Sequence, residues 1–127
     1  MNEWDNQEET FQIIGAAMTV HRALGCGFSE KIYQDALEVE FRHLGIPYQR
    51  EVPLRVSYRD VELHSEFIPD FICFDTIIVE LKAVKEIEDI HRAQTINYGK
   101  VAEADAALLI NFGERSLKYE RYDKKLK

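Results

Sequence analysis

The chain is poor in covalent staples. It carries two cysteines, Cys26 and Cys73, in 127 residues, too few for a disulfide framework, and both are expected as free thiols. It has three prolines and six glycines, which excludes collagen-like or low-complexity segments. No apolar run approaches the roughly 20 residues of a bilayer-crossing helix, so no membrane partner is expected. The start is acidic (Glu3, Asp5, Glu8, Glu9), unlike a positively charged leader. Positive charge is in deficit: 16 Lys and Arg against 23 Asp and Glu give −7. A protein that grips nucleic acid by its backbone usually has a basic face, so any such contact here must be local. The stretch Arg121 to Lys127 sums to +3 and reads as a solubilising tail. Together these absences describe a cytoplasmic protein with reduced thiols.

What is present is ordinary for a globular chain: 46% hydrophobic and 31% charged residues. One domain over residues 1–127 is expected, with 1–6 frayed. Folding at this size buries about two-thirds of the unfolded surface, enough for a core without metal.

Two apolar series at helical spacing predict a helix over Gln7–Leu24: Ile13, Ala17, Val20, Leu24, and Phe11, Ile14, Met18. Gly25-Cys26-Gly27 ends it. Ser29 is a good N-cap for a second helix, with Ile32, Ala36, Val39 beside Tyr33, Leu37, Phe41, Leu44, closed by Gly45. The period then changes to two. Val52, Leu54, Val56, Tyr58 and Val61, Leu63, Ser65, Phe67 predict a hairpin turning at Arg59-Asp60. Its second strand is expected to bend at Pro69 and continue to Phe74. Thr76–Val84 is a nearly continuous apolar run, as in a strand covered on both faces. Glu86–Ala104 predicts a third helix, with Ile87, Ile90, Gln94, Asn97 and Val101 on one side. Ala106–Phe112 is another buried strand, parallel to the previous one across the helix, and Leu117–Tyr122 an edge strand. The order α-α-β-β-β-α-β-(β) makes an α/β or α+β protein, a mixed sheet flanked by helices.

The oddity is Glu80 and Lys82 inside the most apolar strand. Side chains at i and i+2 share a face, and each charge would cost several kcal/mol there if unpaired. If a three-residue loop centred on Asp75 joins the strands, pairing partners sum to 150 and Asp70 faces Glu80 at roughly 5 Å between Cβ atoms. Opposed acids need compensation. Lys82 supplies one charge, and a hard divalent cation such as Mg²⁺ suits carboxylate oxygens. A purely structural carboxylate–lysine pair is the plain alternative.

Pro69-Asp70 followed by Glu80-Leu81-Lys82 resembles the PD-(D/E)XK nuclease signature. Gln94 and Tyr98 resemble the Q-x-x-x-Y element of RecB-like members. Gly27-Phe28-Ser29-Glu30-Lys31-Ile32-Tyr33 resembles the string of the GxxExxY family, a branch of that superfamily. IIVELKA and ALLINFG are similar too, so the likeness runs from Ile13 to Tyr122. It implies a restriction-endonuclease-like core with Asp70 and Glu80 as ligands of Mg²⁺ or Mn²⁺. Lys82 would orient or activate water and stabilise charge on phosphate. Glu30 would be the acid from the helical region, and Gln94 and Tyr98 would line the site. The implied partner is a nucleic acid of unspecified type, cleaved by a metal-dependent hydrolase. The short chain also suits a homodimer or a larger assembly, and a non-catalytic nucleic-acid or protein binding module on the same fold is the alternative.

Plainer readings exist for several residues. Glu30 could simply complement a helix dipole. Gln94 and Tyr98 could be a packed pair, and Tyr33 with Phe28 core or turn packing. His21 and His91 lack a second histidine at ligand spacing and read as surface or core-edge residues. Tyr119, Tyr122, Lys118 and Arg121 fit either an aromatic-basic patch for single strands or an amphipathic edge strand.

Overall fold

A computed structural model describes residues 6–124. Two helices lead, α1 (Gln7–Leu24) and α2 (Glu30–Leu44). Strands β1 (Tyr48–Arg50), β2 (Leu54–Tyr58), β3 (Val61–Phe67), β4 (Phe71–Cys73) and β5 (Ile77–Lys82) follow. Helix α3 (Asp89–Val101), β6 (Ala106–Asn111) and β7 (Lys118–Asp123) complete the chain. Five strands form one mixed sheet in the order β1-β4-β5-β6-β7, while β2 and β3 stand apart as a two-stranded sheet. The pair β5–β6, joined through α3, is parallel. The other pairs are antiparallel.

The main core lies between α1, α2 and one sheet face, where Ile13, Ala17, Tyr33, Leu37 and Phe41 meet Phe71, Val79, Leu81, Leu108 and Ile110. The opposite face carries a smaller cluster around Ile78, Ala104 and Ala107, with Tyr98 of α3 packed on it. This explains the unbroken apolar run of β5: Ile77 to Leu81 are buried on both sides of the sheet. The turn between α1 and α2 is stapled by Tyr33. Its hydroxyl donates to the Gly25 carbonyl at 2.5 Å and accepts the Phe28 N–H at 3.3 Å, and its ring stacks on Phe112 at 4.7 Å. The backbone there is left-handed at Gly25 (φ 70°) and beyond ordinary side-chain reach at Gly27 (φ 116°), which favours glycine.

Several expectations are corrected. Phe11 and Met18 of α1, and Ile32, Val39 and Leu44 of α2, are exposed. Each helix buries one stripe because only one side meets the sheet. The third helix starts at Asp89, not Glu86. Glu88 caps it reciprocally with His91, whose Nδ1 accepts the Glu88 N–H at 3.0 Å. Its packed side runs through Thr95 and Gly99, leaving Ile90 and Asn97 outside. The strand after Pro69 does not continue the hairpin: β3 belongs to the separate sheet and β4 to the main one. β1, unpredicted, pairs with β4.

The C-terminal stretch is more than a tail. Arg121 lies in β7, bonded to Asp123, Thr10 and Asn6. So Asn6 is engaged too, while the expected fraying of 1–5 and the tail of 125–127 lie outside the described residues. The Tyr122 hydroxyl donates to Glu120. With Arg121 and Tyr122 bonded internally, the edge-strand reading describes this segment. His21 is buried and contacts the Glu114 carbonyl at 2.8 Å. Both cysteines are free thiols, and burial pushes Cys73 up to about 12.

Candidate functional site

The connection between β4 and β5 decides the geometry. Phe74 and Asp75 take left-handed conformations (φ 53° and 62°), and the Thr76 N–H closes the turn on the Cys73 carbonyl at 3.2 Å. Three residues therefore form the loop. The register is Phe71↔Val79, Ile72↔Ile78 and Cys73↔Ile77, the sum of 150 expected from sequence. One step further along, Asp70 and Glu80 lock each strand to the other. Glu80 Oε1 accepts the Asp70 N–H at 2.9 Å, and Asp70 Oδ2 accepts the Leu81 N–H at 2.7 Å.

Both carboxyls sit in a low-dielectric environment. Glu80 is 5% exposed. Burial raises its pKa, and the Asp70 charge raises it further. Burial likewise raises Asp70, and the Glu30 charge adds to that. At Glu30 itself partial loss of hydration lifts the carboxyl above its ordinary range. Lys82 is the cation that opposes the shift at all three. It makes no ion pair among the described residues. Tyr98 is raised by burial and then by the Glu80 charge, with Gln94 acting in the opposite sense through a polar contact to its hydroxyl. Asp70, Glu80, Lys82, Glu30, Tyr98 and, through Tyr98, Gln94 thus share one electrostatic neighbourhood.

Sequence reasoning missed the support beneath Asp70. Gln34, 4% exposed on α2, directs its amide nitrogen at the Asp70 carbonyl (3.4 Å) and Oδ1 (3.5 Å). Its amide oxygen accepts from Arg50 at 3.1 Å, which fixes the direction of the amide. Arg50 also pairs with Asp35 and Glu38, each at 2.7 Å. The signal available was a glutamine at Gln34, one residue past Tyr33, inside an otherwise apolar helix face. A second support lies past Lys82. Asn111, fully buried, accepts the Val84 and Gly113 N–H groups at 3.0 Å and donates to the Val84 carbonyl and Glu114 at 2.9 Å.

The donor set suits a hard divalent ion: two oxygen-bearing acids meet, held by the backbone. Among the described residues every fully buried side-chain polar atom is partnered and Glu80 Oε2 has no hydrogen bond, so it retains access to solvent. Among the described residues no group of three or more His, Cys, Asp and Glu converges as a metal cage. An ion here would complete its shell with water or substrate oxygens, as Mg²⁺ commonly does.

The PD-(D/E)XK nuclease superfamily model matches residues 7–122. The chain belongs to that superfamily, whose nucleases are hydrolases that generally use divalent metals. No curated protein and no solved structure matched it. Among the described residues no helix is long and apolar enough to cross a membrane.

Proposed function

We propose that the protein is a phosphodiester hydrolase of the GxxExxY branch, acting on nucleic acid with Mg²⁺ or Mn²⁺ held by Asp70 and Glu80. The observation that carries this is the buried Glu80 and half-buried Asp70 in fixed register beside Lys82, an ammonium without an ion-pair partner among the described residues. A structural carboxylate–lysine pair would close that bond. The ion, when bound, would lower the pKa of a water and polarise a phosphate oxygen. Lys82 would hold the attacking water and stabilise charge developing on the phosphate. Glu30 adds a third carboxylate to the field, and Gln94 and Tyr98 border it from α3.

A non-catalytic binding module is favoured by one fact: among the described residues no group of three or more His, Cys, Asp and Glu converges as a metal cage. Thermal unfolding after chelation separates the two. Mg²⁺ or Mn²⁺ at a hundred times its dissociation constant should add about 2.7 kcal/mol, and Asp70→Asn should abolish the rise. Cleavage of mixed single- and double-stranded DNA and RNA should then depend on Lys82. A metal-stabilised protein that cleaves none of them, with Lys82→Ala binding them unchanged, would leave the binding module.

A further inference from the structure

The β2–β3 hairpin stands apart from the main sheet, is exposed along most of its length, and has one largely apolar face. Its pairs Leu54↔Phe67 and Tyr58↔Val61 keep Leu54, Val56 and Tyr58 on the same side as Val61, Leu63, Ser65 and Phe67, despite the irregularity after Arg55. The other side carries Arg55, Ser57, Glu62 and Glu66. At the base of the apolar face, Phe67 stacks on Tyr98 at 4.4 Å, the same tyrosine that feels the charges of Glu80 and Asp70. Towards the tip the face is open: Tyr58 is 63% and Val61 62% exposed. Arg59 places its guanidinium 6.0 Å from the Tyr58 ring centre and has no ion pair among the described residues.

We propose that this face docks the unpaired bases of a single-stranded nucleic acid whose backbone leads to the Asp70–Glu80 site. The ligand class rests on the nuclease reading; the choice of single strand rests on the hairpin. Stacking suits an exposed ring beside a guanidinium, here Tyr58 with Arg59, and tolerates any base. A duplex hides its bases and must be held by its phosphates. On the hairpin itself Arg55 is tied to Glu66, which leaves Arg59 as its one Lys or Arg without an ion pair among the described residues, in a chain of net charge −7. Continuity completes the case, because Phe67 is three residues before Asp70. The seven residues of β3 extend about 20 Å from the site, room for a short run of nucleotides.

The test is fluorescence anisotropy in EDTA with labelled oligodeoxythymidylate, oligouridylate and a mixed-sequence duplex. Omitting metal separates this proposal from hydrolysis, so a protein that binds single strands but never cleaves would sink the nuclease reading and leave the docking surface standing. Both single strands should bind and the duplex much less. The double variant Tyr58→Ser, Val61→Ser should weaken single-strand binding about tenfold or more, with unfolding temperature unchanged because both side chains are exposed. Arg59→Ala should lower the salt slope by about one. Duplex binding equal to single-strand binding, or unchanged affinity in the double variant, overturns the proposal. So does a double variant whose sedimentation changes from dimer to monomer while its oligonucleotide affinity holds, since a second copy would then be the occupant.

Discussion

Asp70 and Glu80 bind each other's strands: the Glu80 carboxylate takes the Asp70 N–H, and the Asp70 carboxylate takes the N–H of Leu81, the residue after Glu80. Each acid is thereby held toward the other in a site where burial disfavours its charge. The metal-free protein carries this cost, and Glu80→Gln should relieve it. The amide keeps an oxygen for the Asp70 N–H and loses only the charge. We expect the metal-free variant to be more stable than wild type at neutral pH by about 1–3 kcal/mol. Urea unfolding in EDTA measures it. A variant several kcal/mol less stable would identify a structural ion pair with Lys82 instead.

The same pair sets a pH dependence. The two carboxyls are raised, as a coupled pair, to about 6 and about 8 in the fold, above their unfolded values. The native state therefore binds more protons than the unfolded one across that interval, and stability falls as pH rises through it. Metal-free wild type should lose unfolding temperature from pH 5 to pH 9, more steeply than Glu80→Gln. Below about pH 4 the lowered carboxyls of Glu38 and Glu120 act in the opposite sense. A flat profile in EDTA would show that the carboxyls are not raised.

Gln34 should tune the site without being part of the reaction. Gln34→Leu removes the amide that faces Asp70 and leaves one Arg50 bond open. We expect Mn²⁺ affinity to drop about tenfold, in the range seen for partners of metal ligands. Calorimetric titration checks this, with circular dichroism confirming the fold. Unchanged affinity would confine Gln34 to packing.

The knot at the end of β6 should be sensitive. Asn111→Ala strands the Val84 and Gly113 N–H groups and should cost about 2–4 kcal/mol. Gly113→Ala is expected to be worse than an ordinary glycine substitution, because a Cβ there would lie 2.2 Å from the Val84 carbonyl oxygen. Denaturant midpoints of the two variants against wild type test both.

Much of the site was legible because strand pairing is arithmetic. Once the loop at Asp75 has three residues, the partners of Phe71, Ile72 and Cys73 follow, and Asp70 meets Glu80. The helices were legible as helices but not in orientation. Phe11, Ile32 and Val39 fit a helical stripe as well as their buried neighbours do, and only the sheet's position decides which stripe is covered. Alternation on either side of Arg59-Asp60 announced the β2–β3 hairpin and its turn, but not that it stands apart from the main sheet. Gln34 and Asn111 escaped because the partners of a buried amide, here Asp70 and Val84, are distant in sequence.

The three-residue turn at Phe74-Asp75-Thr76 works as a ruler. Lengthening it by one residue would shift the pairing by one step and turn either Asp70 or Glu80 to the opposite side of the sheet. The apolar residues of β4 and β5 are buried on both faces and would tolerate that slip far better than the acids. A single insertion there would thus erase the chemistry while leaving a folded protein. The spacing between proline-aspartate and glutamate-x-lysine is in this sense a dihedral property of one loop before it is a sequence pattern.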